Sequence, residues 1–81
     1  MNALETLLSL KGKDIEVCKI ESGKILVEYR GSEVKEGMFL VSCYGVGKTF
    51  YEACEDYLNK LHGKILVFGA GTSRREEVRV L

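Results

Sequence analysis

The sequence predicts an α+β fold, an antiparallel β-sheet of three to five strands with helices packed on one face. One observation is a bounded amphipathic helix over residues 49–62. A second is a β-rich run on each side of it, Met38 to Tyr44 before and Lys64 to Phe68 after. The predicted order is α-β-β-β-α-β with a possible last strand, in a single domain over residues 1–81.

The helix over residues 49–62 has signals at both ends. Thr49 and Glu52 have the spacing of a capping box, in which the hydroxyl accepts from one amide and the carboxylate reaches back to the other. Gly63 supplies the left-handed residue that ends the helix, and Lys60 and His62 complement the dipole of its last turn. The apolar stripe that should face the sheet consists of Phe50, Ala53, Cys54, Tyr57, Leu58 and Leu61.

The residues before residue 31 predict a short helix and a hairpin. The helix begins after Asn2, a capping residue, and three leucines should share its inner side. Those leucines are Leu4, Leu7 and Leu8. Asp14 to Ile20 and Lys24 to Arg30 are β-rich runs, and the short connection Glu21-Ser22-Gly23 is typical of a hairpin.

A polar loop over residues 31–37 should precede the third strand, which starts with four apolar residues in a row (38–41). Such a strand is either central in the sheet or has its second face buried by a partner. The run Lys64 to Phe68 also has apolar side chains on both faces, and two helices cannot easily cover so much surface. We therefore expect a homodimer that uses a sheet edge or the uncovered sheet face. Residues 74–81 predict a half-exposed terminal strand.

Composition limits the partners and the compartment that we expect for this protein. Twelve basic and twelve acidic residues balance, so nucleic acid or an anionic membrane would need a local patch to bind. No apolar run approaches the roughly 20 residues of a membrane span, and the first residues lack the features of a signal peptide. Three cysteines without paired spacing indicate a reducing compartment, and we expect a cytoplasmic protein.

Motifs for cofactor, metal or catalytic chemistry are incomplete. The Gly-Lys-Thr at residues 47–49 lacks the earlier glycine of a phosphate loop, because Ser42 occupies that position. The soft metal-ligand candidates have no chelating spacing, so we expect no metal and no cofactor. Those candidates are Cys18, Cys43, Cys54 and His62. Neighbouring carboxylates such as Glu55-Asp56 diverge, and we expect the chain not to be an enzyme.

The remaining candidates are for a binding surface. Tyr51 lies outside the apolar stripe and should face solvent, and an exposed aromatic among carboxylates is a composition that contact surfaces enrich. A merely solvated helix face is the alternative for the acidic residues. The candidate protein-binding residues are Tyr51, Glu52, Glu55, Asp56, Arg74 and Arg75.

The order α-β-β-β-α, with Gly45-x-Gly47-Lys48-Thr49-x-x-x-Ala53 opening the second helix, resembles a double-stranded RNA-binding domain over residues 3–61. That family holds phosphates with lysines at the start of its second helix. Acidic residues stand in the corresponding turns here, and only Lys48 remains. The resemblance therefore implies a fold and, at most, a degenerate RNA-binding site.

Two further resemblances concern function. Residues 40–61 resemble the core of HicB-type antitoxins, in which a strand leads through glycine into Thr-x-x-Glu-Ala, as in Thr49 to Ala53. The segment Gly63 to Phe68, followed by Arg74-Arg75-Glu76, is similar to small bacteriophage and prophage proteins, some of which inhibit host defence systems. We predict a non-catalytic regulatory or accessory protein that contacts a protein, such as a host defence (CRISPR-type) nuclease. The alternative is a nucleic-acid-associated module.

Overall fold

The computed structural model describes residues 2–80, which form two helices and seven strands in two antiparallel sheets. The helices are α1 (Ala3–Leu8) and α2 (Phe50–Leu61). The strands are β1 (Ile15–Lys19), β2 (Ile25–Tyr29), β3 (Ser32–Glu36), β4 (Phe39–Val41), β5 (Gly45–Gly47), β6 (Ile65–Phe68) and β7 (Glu76–Arg79). One sheet has the order β1-β2-β5 and the other β4-β3-β6-β7. The predicted antiparallel α+β fold is confirmed, with its strands divided between two sheets.

The first helix and the hairpin form where the sequence predicts them. The side chain of Asn2 accepts from the amide of Glu5 at 2.8 Å and caps α1, and β1 pairs with β2 in antiparallel register. Leu7 is buried, but Leu8 is 57% exposed. The prediction that Leu8 faces inward is wrong, because successive residues of a helix point about 100° apart and this short helix packs only one side.

Residues 32–36 form strand β3 instead of the predicted polar loop. β3 pairs with β6 on one side and β4 on the other, and its central residue Val34 is buried. The opposite face of β3 is polar because it points away from the core, and on that face Lys35 pairs with Glu77. A strand that buries a single side chain has too little apolar alternation to be recognised in the sequence.

The apolar run from residue 38 onward divides between the two sheets. The turn Gly37-Met38, with φ of +61° at Gly37, joins β3 to β4, and residues 42–44 then cross to β5 beside β2. β4 lies at the edge of its sheet, so the prediction of a central strand is wrong. Met38 is 98% and Phe39 75% exposed. Burial of this segment by a partner stays a prediction.

Helix α2 is bounded as predicted. The hydroxyl of Thr49 accepts from the amide of Glu52 at 3.1 Å, and Gly63 follows the helix with φ of +76°. The capping box differs in detail, because the Thr49 hydroxyl also donates to the Glu52 carboxylate at 3.3 Å. The apolar stripe enters the core, and its fully buried members are Ala53, Cys54, Tyr57 and Leu61.

Two glycines bring β5 directly against α2. A Cβ atom on Gly45 would overlap the carbonyl oxygen of Ala53 and lie 2.6 Å from the amide nitrogen of Tyr57. A Cβ atom on Gly47 would lie 2.5 Å from the amide nitrogen of Ala53. No side chain therefore fits between this strand and the helix backbone.

Two buried tyrosines connect α2, β2 and α1. The amide of Tyr29 donates to the hydroxyl of Tyr57 at 3.0 Å, and the hydroxyl of Tyr29 donates to the carbonyl of Leu7 at 2.6 Å. The ring of Tyr29 also packs against Phe68 of the second sheet, with centroids 5.7 Å apart. Burial raises the pKa of both phenols, and each stays protonated well into the alkaline range.

We expect Gly45→Ala to destabilise the protein by about 3 kcal/mol, because the added methyl meets the backbone of α2, which cannot rotate away. Val46→Ala removes two methyl groups from the residue between the glycines and should cost only about 1 kcal/mol. Urea denaturation measures both. Equal midpoints for Gly45→Ala and the wild type would contradict the close approach of β5 to α2.

The free energy of unfolding should fall as pH rises above about 10, the pKa of tyrosine in an unfolded chain. Tyr29 and Tyr57 have raised pKa values when folded, so the folded chain retains protons that the unfolded chain loses. Urea midpoints at pH 8, 10 and 11.5 measure this loss. Tyr29→Phe should weaken the pH dependence, while Tyr51→Phe should not. Identical slopes for the two variants would contradict the assignment.

Candidate protein-interaction surface

Helix α2 presents an acidic ridge (Tyr51, Glu52, Glu55 and Asp56) on the side away from its apolar stripe. Tyr51 is 60% exposed, and its ring lies 5.8 Å from that of Phe50, which packs against the core. Glu55 is exposed one turn further on. Within residues 2–80 its carboxylate makes no hydrogen bond or ion pair. Tyr51 and Glu55 therefore keep their polar groups available on a rigid helix.

The other two members of the acidic ridge support the fold. The Glu52 carboxylate accepts from the hydroxyl of Thr49, the capping residue of α2, at 3.3 Å. The carboxylate of Asp56 accepts from the amide of Val46 at 2.9 Å and pairs with Lys60 at 2.9 Å. Desolvation is the largest single influence and raises the pKa of Asp56. The bonds from Lys60 and Val46 together outweigh it, so the pKa lies below its ordinary value. Lys60 is held as well, because it donates to the carbonyl of Tyr44 at 3.0 Å.

Arg75 belongs to an ion-pair network on the outer face of the second sheet. Its guanidinium lies 3.0 Å from Glu77, which also pairs with Lys35 at 3.2 Å. Hydrogen bonds from Arg75 and Lys35 hold the pKa of Glu77 below its ordinary value. Glu77 stands opposite Val67 in the ladder, and Val67 is fully buried although it faces away from the main core. The guanidinium of Arg75 therefore already has a partner within the fold, the carboxylate of Glu77.

Arg74 lines an open basic depression of about 330 Å³ with Lys13, Asp14 and Arg30. The depression lies where the connections before β1, before β3 and before β7 meet. Lys13 pairs with Glu76 at 2.6 Å and lies 4.5 Å above the ring of Phe68. Arg30 approaches Glu16 at 3.7 Å. Two of the three cations are therefore partly neutralised.

The acidic ridge and the basic depression lie at different ends of the fold. α2 begins beside Gly47, which pairs with Ile25 at the start of β2, whereas Arg30 follows the end of β2. The structure therefore brings Tyr51, Glu52, Glu55 and Asp56 together but places Arg74 and Arg75 elsewhere.

The site residues predicted from the sequence do not include an exposed apolar edge (Met38, Phe39 and Val41), although the sequence predicts that this strand is either central or buried by a partner. These side chains are 98%, 75% and 40% exposed, and they lie in the turn before β4 and in β4 itself. The available signal was the absence of any charged residue from 37 to 47, in a chain of which 30% is charged. Apolar runs are usually assigned to the interior, which is why the same residues predicted a central strand.

The three cysteines differ in exposure, and a mainly apolar cavity lies next to Tyr29. Burial raises the pKa of the Cys43 and Cys54 thiols, while Cys18 is exposed. Residues 2–80 contain no group of three or more His, Cys, Asp or Glu side chains arranged to hold a metal ion. A cavity of about 200 Å³ next to Tyr29 is mainly apolar, and the Tyr29 hydroxyl there already donates to Leu7. No helix in the described part of the chain could span a membrane.

Comparison of the chain with protein-family models, with curated proteins and with solved structures finds no match. The resemblances to double-stranded RNA-binding domains, HicB antitoxins and phage proteins stay predictions.

We expect Asp56→Ala to cost about 1–2 kcal/mol of unfolding free energy, because the amide of Val46 loses its acceptor. Asp56→Asn retains an acceptor oxygen and should cost less. Glu55→Ala, at the preceding position, is the matched control and should stay within about 0.5 kcal/mol of the wild type. Equal losses for Asp56→Ala and Glu55→Ala in urea denaturation would contradict a structural role for Asp56.

Proposed function

We propose that this protein is a non-catalytic regulator that acts by protein–protein contact through the acidic ridge. The observation that carries the proposal is Tyr51, an aromatic side chain left 60% exposed beside Glu55, whose carboxylate has no partner within residues 2–80. Aromatic side chains that bury a large area at little entropic cost are typical anchors of protein interfaces. The opposite side of α2 lies in the core, so the anchor is held in place before binding.

The chemistry of the acidic ridge favours a basic partner surface with a recess for one aromatic ring. Complementary charge raises the rate of encounter and disfavours partners with acidic surfaces. A nucleic-acid-binding cleft has this character, because it is built to accept phosphates. The proposed partner is therefore a host nuclease or a similar nucleic-acid-binding protein, and the proposed role is that of a phage-encoded inhibitor.

A second candidate function is a nucleic-acid-associated module, as in HicB antitoxins or a degenerate double-stranded RNA-binding domain. The basic depression with Lys13, Arg30 and Arg74 is the observation that favours it. It ranks below protein contact, because Glu76 and Glu16 already pair with two of these cations and weaken their attraction for phosphate.

The test of the proposal is affinity capture from a bacterial lysate, followed by titration of the purified captured protein. The double variant Tyr51→Ala/Glu55→Lys should lose that binding, because it removes the anchor and reverses the free charge, while thermal stability stays nearly unchanged. Glu21→Lys applies the same charge change in the β1–β2 hairpin turn and should bind like the wild type. Asp56 is not substituted, because its carboxylate accepts a hydrogen bond from the backbone of β5.

Binding by the double variant at wild-type affinity would reject the acidic ridge as the contact. The second candidate is tested with short RNA and DNA duplexes in mobility-shift assays at physiological salt. A shift that falls steeply with added salt and is lost in Arg74→Ala would favour the nucleic-acid-associated module instead.

A further inference from the structure

The two sheets have four edge strands in the described residues, and three of them are protected against pairing with another chain. β1 carries Glu16 and Lys19, and three of the four residues of β7 are charged. β5 has no charge of its own, but its outward amide, that of Val46, donates to Asp56 of α2. Charged side chains and covering helices are the usual means by which proteins block edge-to-edge association.

β4 is the edge that has no such protection. Its residues Phe39, Leu40 and Val41 are apolar, and the side chains of Phe39 and Val41 are 75% and 40% exposed. No charge occurs from residue 37 to 47, and the chain contains no proline. An exposed apolar strand with open hydrogen-bonding groups is poorly tolerated in a monomer and is typical of a site that receives another strand.

The turn before β4 determines which backbone groups point outward. Gly37 and Met38 form a two-residue turn, so Glu36 and Phe39 are a hydrogen-bonded pair that closes the hairpin. In an antiparallel ladder such pairs alternate, and the amide and carbonyl of Leu40 therefore point away from β3. The open edge is centred on Leu40.

We propose that the apolar edge pairs with a second copy of this chain, β4 against β4 in antiparallel orientation about a two-fold axis at Leu40. Leu40 of one copy then lies opposite Leu40 of the other, and the two leucines exchange both outward hydrogen bonds. Phe39 lies opposite Val41 of the second copy, an aromatic–β-branched pair of the kind that stabilises sheets. The two four-stranded sheets become one sheet of eight strands.

Electrostatics favour a second copy over a charged partner as the occupant of this edge. A two-fold contact places a surface against itself, so any net charge there would repel. The nearest charged side chains on β3 are neutralised within each copy, Lys35 by Glu77 and Glu36 by Lys64 at 2.8 Å. This contact uses a different surface from the acidic ridge, and its test is independent of the proposed function.

Site-directed cross-linking tests the register. In a Cys18→Ser/Cys43→Ser background, Leu40→Cys should form a cross-linked dimer under mild oxidation. The pairing puts the two Cα atoms about 5.5 Å apart, within the range of a disulfide. Met38→Cys is the matched control and is the more exposed of the two positions. It should not cross-link, because the two Met38 residues would be four positions apart along the ladder, about 14 Å.

Sedimentation equilibrium from about 10 to 500 µM should show a reversible monomer–dimer equilibrium, a range suited to an interface of a few residues per copy. Phe39→Lys should weaken the dimer at least about tenfold, while Leu8→Lys, which replaces an exposed leucine of α1, should not. A wild-type monomer throughout this range would overturn the proposal. A strand of another protein would then be the candidate to pair with β4. Cross-linking of Met38→Cys as efficiently as Leu40→Cys would overturn it too.

Discussion

The direct contact between the backbones of β5 and α2 positions the other elements of this fold. Gly45 and Gly47 remove the side chains that would separate strand from helix, so the two backbones meet directly. At that separation the carboxylate of Asp56 reaches the amide of Val46, and the hydroxyl of Tyr57 reaches the amide of Tyr29. β5 pairs with β2 on one side, and on its other side α2 supplies a hydrogen-bond acceptor for the backbone.

The buried tyrosines extend this constraint to the rest of the core. Tyr29 lies past the last residue of β2 that pairs with β5, and there the hydroxyl of Tyr57 accepts from its amide. The hydroxyl of Tyr29 in turn donates to the carbonyl of Leu7 and so attaches α1 to the core. The Tyr29 ring contacts Phe68 of the second sheet, so one side chain touches both layers. Buried polar groups that are all hydrogen-bonded favour a single packing arrangement of such a core, because separating either pair leaves an unsatisfied group.

The surface divides into side chains that serve the fold and side chains that do not. Glu52, Asp56 and Arg75 each have a partner within the chain, whereas Tyr51 and Glu55 leave their polar groups available. The apolar edge is a separate surface, exposed because β4 has only one neighbouring strand. The two surfaces are suited to different occupants, the acidic ridge to a basic protein and the apolar edge to a strand without charge.

Features of this protein that depend on neighbouring residues can be predicted from the sequence. The ends of α2, its buried stripe, the exposure of Tyr51 and the β1–β2 hairpin follow from periodicity, capping residues and turn length, all within a few positions of one another. The pairing of β3 with β6, some 30 residues away, is seen only in the folded chain. The same is true of the edge position of β4 and of the hydrogen bond from the amide of Val46 in β5 to Asp56. Strand pairing and ion pairing depend on which distant segment lies next to a residue in the folded chain, and local patterns do not show this. Residues 38–41 would have the same apolar pattern whether they were covered by a neighbouring strand or exposed to water.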